Sequence, residues 1–171
     1  MTSKFFHSDH LVWLVNHDQA HDFLEGRYFF RQLNSGLSIH GGTLCPSQSL
    51  KSGRIINRYV NLIVLLEGSL RFAINEQRYD ITAASHGKLI LITPDNSSLF
   101  TRYLVSGEQS TKIAIKGIER WIDDDDQHHY PGLYQQAVRI RELDAQQRHL
   151  SLNFLQQTMS PSPSSLVLDY S

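Results

Sequence analysis

Between residues 27 and 116 the chain falls into short runs rich in β-branched and aromatic residues, each closed by a turn signal, and this cadence constrains the fold most. The runs are 28–33, 37–44, 59–66, 70–74, 78–82, 88–93, 98–105 and 111–116. Between them stand Asn34-Ser35-Gly36, Ser52-Gly53, Glu67-Gly68, Ser85-His86-Gly87, Pro94-Asp95-Asn96 and Ser106-Gly107. Strands recurring every eight to twelve residues, with no long helical pattern between them, predict an antiparallel sandwich or small barrel rather than a parallel βαβ sheet.

Several runs alternate with period two, the mark of a strand with one buried face. Leu70, Phe72 and Ile74 alternate with Ser69, Arg71 and Ala73, and Ile113 and Ile115 with Lys112, Ala114 and Lys116. The run Leu62-Ile63-Val64-Leu65-Leu66 is apolar on both sides, which calls for a core on one face and a helix, partner chain or ligand on the other. Upstream, Leu11–Val15 reads as a strand or a helical turn. Asn16-His17-Asp18 reads as a helix cap leading through Ala20, Phe23 and Leu24 to Gly26. Downstream of Trp121, which is expected to anchor a short helical turn, the β pattern stops. Residues 133–157 then read as a helix with Leu133, Ala137, Ile140, Leu143, Leu150 and Phe154 along one stripe. Ser160-Pro161-Ser162-Pro163 has linker composition, and residues 166–170 restart an apolar pattern, as if a longer protein continued. The resulting division is an extension over 1–26, a β domain over 27–122, a helical segment over 123–159 and a linker over 160–171.

The 171 residues suffice for one domain, and a 40% hydrophobic share suffices for a core. Sixteen basic and seventeen acidic side chains give a formal charge of −1, which lacks the basic surplus of a domain that grips nucleic acid unaided. The single cysteine, Cys45, rules out an internal disulfide framework and points to a reducing, cytoplasmic setting. The first residues carry no secretory pattern, and no apolar run is long enough for a membrane span.

Chemistry-bearing patterns are sparse. Nine histidines invite a metal reading, but the β region holds only His40 and His86, with no His-x-His pair to aim two ligands from one strand. No metal or cofactor is therefore expected there. His17, His21 and Glu25 would share a helix face, and His128 and His129 adjoin four aspartates; solvated surface accounts for both groups. Cys45 precedes Pro46 without a histidine at informative spacing, and Gly41-Gly42 reads as a bulge rather than a phosphate cradle. No nucleophile elbow, phosphate loop or dinucleotide fingerprint is present, so no catalytic residue is assigned. Arg102 shares a strand face with Phe100 and Leu104, as an edge residue or as an anion partner in a pocket. Arg58, Tyr59 and Arg71 flank the doubly apolar strand. With Leu65, Phe100 and Arg102 they form the ligand-binding set expected from the sequence.

The stretch Leu62-Ile63-Val64-Leu65-Leu66-Glu67-Gly68-Ser69-Leu70-Arg71-Phe72, followed by Gly87-Lys88-Leu89, Phe100-Thr101-Arg102, Lys112-Ile113-Ala114-Ile115 and Glu119-Arg120-Trp121-Ile122, resembles the N-terminal half of AraC-type transcriptional regulators, nearest to those that sense siderophores. The resemblance spans roughly residues 37–157. It implies a mainly β, cupin-like jelly-roll barrel (a double-stranded β-helix) followed by C-terminal helices. It also implies a small-molecule effector in a metal-free barrel and a homodimer formed through the helical stripe. DNA binding would belong to a helix-turn-helix domain beyond this chain, with no membrane partner. The alternative is a free-standing cupin-like binder or enzyme.

Overall fold

The computed structural model describes residues 23–58, 60–94, 96–120, 122 and 133–160, together with the backbone of two N-terminal strands. The strands are β1 (Phe5–Ser8), β2 (Leu11–Leu14), β3 (Leu24–Gln32), β4 (Ser38–Pro46), β5 (Leu50–Ile56), β6 (Asn61–Glu67), β7 (Ser69–Ile74), β8 (Gln77–Thr82), β9 (Lys88–Ile92), β10 (Ser98–Leu104), β11 (Ser110–Lys116) and β12 (Val138–Glu142). Among the described residues a 3₁₀ turn spans Ile118–Arg120 and a helix, α1, spans Ala145–Met159. Two six-stranded sheets result, in the orders β1-β2-β5-β10-β7-β8 and β12-β9-β6-β11-β4-β3. Every pairing is antiparallel except β2 with β5.

The sheets face each other as a sandwich. Leu70, Phe72, Ile74 and Ile81 of the first meet Ile63, Leu65, Ile90, Ile92 and Ala114 of the second. Phe72, fully buried, is stacked between Tyr79 (centroids 5.0 Å apart) and Phe100 (5.5 Å). Each large side chain closed into this core contributes about 1.5–3 kcal/mol. A second cluster lies on the outer face of the β6 sheet, where Leu66, Val64 and Ile113 pack beneath Leu152, Phe154 and Leu155 of α1. The doubly apolar run is thereby explained: Ile63 and Leu65 face the opposing sheet, and Val64 and Leu66 face the helix.

All eight runs expected from the sequence are strands, with ends shifted by a few residues. β5 was not among them. Its inward row is Leu50, Ser52, Arg54 and Ile56, and polar residues in that row erase the apolar alternation. The expected helix reaching Gly26 is corrected where it is described, because Leu24, Glu25 and Gly26 open β3 against β4. The helix expected over 133–157 is corrected too. Val138–Glu142 add a strand to the edge of β9, with Ile140 opposite Ile90, and a Lys88–Glu142 ion pair at 2.8 Å ties the two. The helix starts only at Asp144, whose carboxylate accepts from the Gln147 N–H while the Gln147 side chain accepts from the Asp144 N–H. This capping box marks the boundary that the three-and-four spacing of apolar residues concealed.

Gly41 and Gly42 lie inside an unshifted pairing of β4 with both neighbours, so the bulge expected there is absent; the irregularity falls between β11 and β6, where Thr111 and Lys112 pair with Glu67 and Leu65 and Leu66 is passed over. Glycine is required because a Cβ at Gly41 would sit 2.3 Å from the Lys112 carbonyl oxygen, and one at Gly42 (φ +137°) 2.0 Å from that of Arg27.

Candidate functional site

Residues opposite one another on adjacent strands share a face of the sheet. Lys112 lies opposite Leu65, Ala114 opposite Ile63 and Lys116 opposite Asn61. Leu65 and Ile63 are closed into the core, so the face of β11 directed between the sheets is Lys112-Ala114-Lys116, while Ile113 turns toward α1. In the opposing sheet Arg102 lies opposite the buried Phe72 and also faces inward, and Arg54, opposite Phe100, joins it. The guanidinium of Arg54 stands 6.0 Å from the centre of the Phe100 ring. The interior thus has an apolar half between β6-β9 and β7-β8, and a cationic half between β11-β4 and β10-β5. Among the described residues, no inward position of β3, β4, β5, β10 or β11 carries an aspartate or glutamate.

A cavity of about 70 Å³ opens into the cationic half. Arg102 and Lys112 approach it from opposite sheets, with Tyr28 of β3 and His40 of β4 also in the wall and Leu24, Leu44, Pro46, Leu104 and Val105 as its apolar part. Gly42, opposite both Lys112 and Tyr28, adds no side chain to the row. The Arg102 Nε is buried without a hydrogen-bond partner. Arg71 is also in the wall, but its charge is satisfied: it donates to Asp80 at 2.9 Å and to Glu108.

The electrostatic consequence is large. Burial pushes the Lys112 ammonium down to about 7, helped by the positive charges of Arg102 and Lys116. Burial, Arg54 and Arg102 bring Lys116 down to about 8. Burial also lowers Arg102, offset in part by Tyr28, and raises the Tyr28 phenol. Among the described residues the carboxylate in the cavity wall, Glu108, is engaged by Arg71, so the site lacks a free negative charge. It suits a molecule that brings one.

Of the residues expected to bind ligand, the structure brings Arg71 and Arg102 together in the cavity wall. Leu65 does not join them; it is fully buried in the core because its strand face packs on the opposing sheet. Phe100 stacks on Phe72 beside Arg54 rather than lining the cavity. Arg58 is exposed, has φ +24° and lies 5.7 Å from the Tyr134 ring. Tyr59, Trp121, His17, His21, His128 and His129 lie outside the described residues. Lys112, Lys116, Arg54, Tyr28 and His40 are the site residues that the sequence reading missed. Among the described residues no three His, Cys, Asp or Glu side chains gather to hold a metal.

The stripe expected to dimerise is dispersed. Ala137 packs on the first core cluster and Leu143 is buried in the second, while Phe154 meets Phe29 edge-on at 5.8 Å and Leu133 is half-buried. Only Ile140 on β12 and Leu150 on α1 present wide apolar surface, at 46% and 59% exposure.

Lysines whose native pKa is lowered bind fewer protons folded than unfolded, so stability rises with pH from about 7 to about 10, by up to ~1.4 kcal/mol per pH unit for each lysine. Thermal melts at pH near 7 and near 9 are expected to show the wild type more stable at the higher value, and Lys112→Met/Lys116→Met to flatten that difference. Parallel pH profiles for the two proteins would contradict the inward placement.

The sequence matches no protein-family model and no curated protein. Among solved structures it is similar to the plu4264 protein of Photorhabdus luminescens, at 18% identity over 78% of this chain and 92% of that one, with a TM-score of 0.38. It is also similar to YhaK of Escherichia coli, at 14% identity over 84% of this chain and 52% of that one, with a TM-score of 0.40. A third similar structure is ToxT of Vibrio cholerae bound to an unsaturated fatty acid, at 14% identity over 80% of this chain and 48% of that one, with a TM-score of 0.37. The chain spans about half the length of the latter two. These are distant likenesses in chain trace, and no family is assigned from them.

Proposed function

We propose that this chain is a cupin-like, small-molecule-sensing domain that takes an anionic effector between its sheets. The observation that carries the reading is the Arg102 guanidinium, its Nε buried without a partner, in a cavity shared with Lys112. A buried cation with unfilled donor capacity costs free energy that a bound oxyanion recovers. The mixed wall suits a ligand with an apolar body and an acidic head. The domain acts as a sensor and not as an enzyme.

The regulatory part of the proposal rests on the sequence resemblance to AraC-type regulators. Effector binding shifts the sandwich and α1 between two arrangements and so changes the presentation of an attached helix-turn-helix unit in the cytoplasm. It does so only by as much as the effector prefers one arrangement. Among the described residues, no helix is long and apolar enough to cross a membrane. The siderophore subgroup remains one candidate class of effector, since catecholate and carboxylate groups would meet the same cations.

A thermal-shift panel of carboxylates, phosphate esters and siderophores is expected to contain an anion that raises the melting temperature, because a ligand of the folded state alone must do so. Arg102→Ala and Lys112→Met are each expected to weaken that anion at least about tenfold, or ~1.4 kcal/mol. A panel in which only neutral compounds stabilise the protein, or an anion indifferent to both substitutions, would overturn the reading.

The homodimer is proposed through the face of α1 that carries Leu150. Sedimentation is expected to give a dimer for the wild type and a monomer for Leu150→Lys. A wild type that stays monomeric at high micromolar concentration would remove the dimer from the proposal.

A further inference from the structure

We propose that Lys112 captures its ligand covalently and reversibly, its amine condensing with the carbonyl of a 2-oxo acid whose carboxylate is held by Arg102. This inference rests on the anion-binding role proposed above and names the class of anion.

The space selects the ligand's head. Lys112 and Arg102 line one cavity of about 70 Å³ from opposite sheets. A buried water needs on the order of 10–15 Å³ of such space, so the cavity takes roughly five waters or one small head group. Residues on opposite walls of so small a space meet the same molecule. A 2-oxo acid carries its carboxylate and its carbonyl on adjacent carbons, one function for each wall.

The sheet places Lys112 for this chemistry. It lies opposite Gly42, which carries no side chain, and Tyr28 follows on the far side of Gly42. The diagonal neighbours of Lys112 on β4 are His40 and Leu44, and both line the cavity. The register between β11 and β6 shifts beside Lys112, where Leu66 is passed over. Such an irregularity adds twist and re-aims the side chains next to it. Among the described residues no hydrogen bond or ion pair engages the Lys112 ammonium, and the Arg102 Nε is buried without a partner. Both groups are thus open to a ligand.

The reaction balances without an oxidant or a reductant. The unprotonated amine adds to the carbonyl carbon, the carbonyl oxygen takes up a proton, and the carbinolamine then loses that oxygen as water. One ammonium and one carbonyl give one protonated imine and one water. Burial, Arg102 and Lys116 bring Lys112 down to about 7, so near neutral pH a large share of it is the free amine that attacks. Tyr28 and His40, with ring centres 6.0 Å apart, are the groups of the wall able to pass protons to and from the oxygen.

The test is reductive trapping on the whole chain with pyruvate or 2-oxobutyrate and cyanoborohydride, at a pH above the Lys112 value of about 7. Peptide mass spectrometry is expected to find the adduct on Lys112, heavier by the acid less one water plus two hydrogens. It is expected to form at least about tenfold faster there than on any other lysine. Lactate, which has the carboxylate but no carbonyl, is expected to slow the trapping without adding to the protein. Butanone, which has the carbonyl but no carboxylate, is expected to react at least about tenfold more slowly than pyruvate. Lys112→Arg is expected to abolish the adduct, and Arg102→Ala and Arg102→Gln to slow it, with a melting curve of each variant to guard against a folding defect. Adducts spread evenly over the lysines, or butanone trapped as fast as pyruvate, would overturn the covalent inference. The anion site would still stand if pyruvate and lactate then raised the melting temperature alike. Failure of both acids to stabilise the protein would remove the carboxylate site together with the inference.

Discussion

Repulsion among inward-facing cations is the constraint on which the rest of this structure depends. Arg102, Lys112 and Lys116 occupy positions that a sandwich of this size would ordinarily fill with apolar side chains, and Arg54 joins them from β5. Burying like charges beside one another is unfavourable, so the folded state must recover the cost elsewhere. It does so in two ways. The apolar half of the interior, centred on the stack of Tyr79, Phe72 and Phe100, is closed to water, and the lysines hold their protons loosely.

The same arrangement explains why α1 lies where it does. Once β11 turns its lysines inward, Ile113 must face outward, and β6 presents Val64 and Leu66 on that same outer surface. A sheet with apolar residues on both faces needs a second cover. The helix supplies it through Leu152, Phe154 and Leu155, with Leu143 tucked in just before the Asp144 cap. The cationic interior and the external helix are thus two outcomes of one strand's orientation. A register slip of a single residue would expose the lysines and bury the isoleucines, leaving α1 without its platform.

Much of the fold was legible in the sequence, because period-two alternation and glycine-containing turns are local signals. The two-faced apolar run of β6 even announced that something must cover its outer side. The site was less legible. In Lys112-Ile113-Ala114-Ile115-Lys116 either face could be the buried one, and hydrophobicity alone favours the isoleucines for both possible covers, the opposing sheet and the helix. Only the pairing of Lys112 with Leu65 decides it. β5 escaped notice for a related reason: Ser52 and Arg54 face inward toward the polar half, so its apolar alternation is broken where the site begins. Arg102 stood out because it shares a face with Phe100 and Leu104. The C-terminal stripe misled because apolar residues from a strand, a cap and a helix fell by chance at gaps of three and four, although Asp144 and Gln147 already carried the capping signal.

The inward lysines can be observed directly. Carbon-13 labelling of lysine, followed by an NMR pH titration of the side-chain Cε signals, reports the protonation of each ammonium group. The account predicts two lysines, assigned by single substitution as Lys112 and Lys116, that titrate near 7 and 8 in the free protein. Titration of both near 10.5 would show that their ammonium groups stand in water, and would contradict the cationic interior on which the proposed function rests.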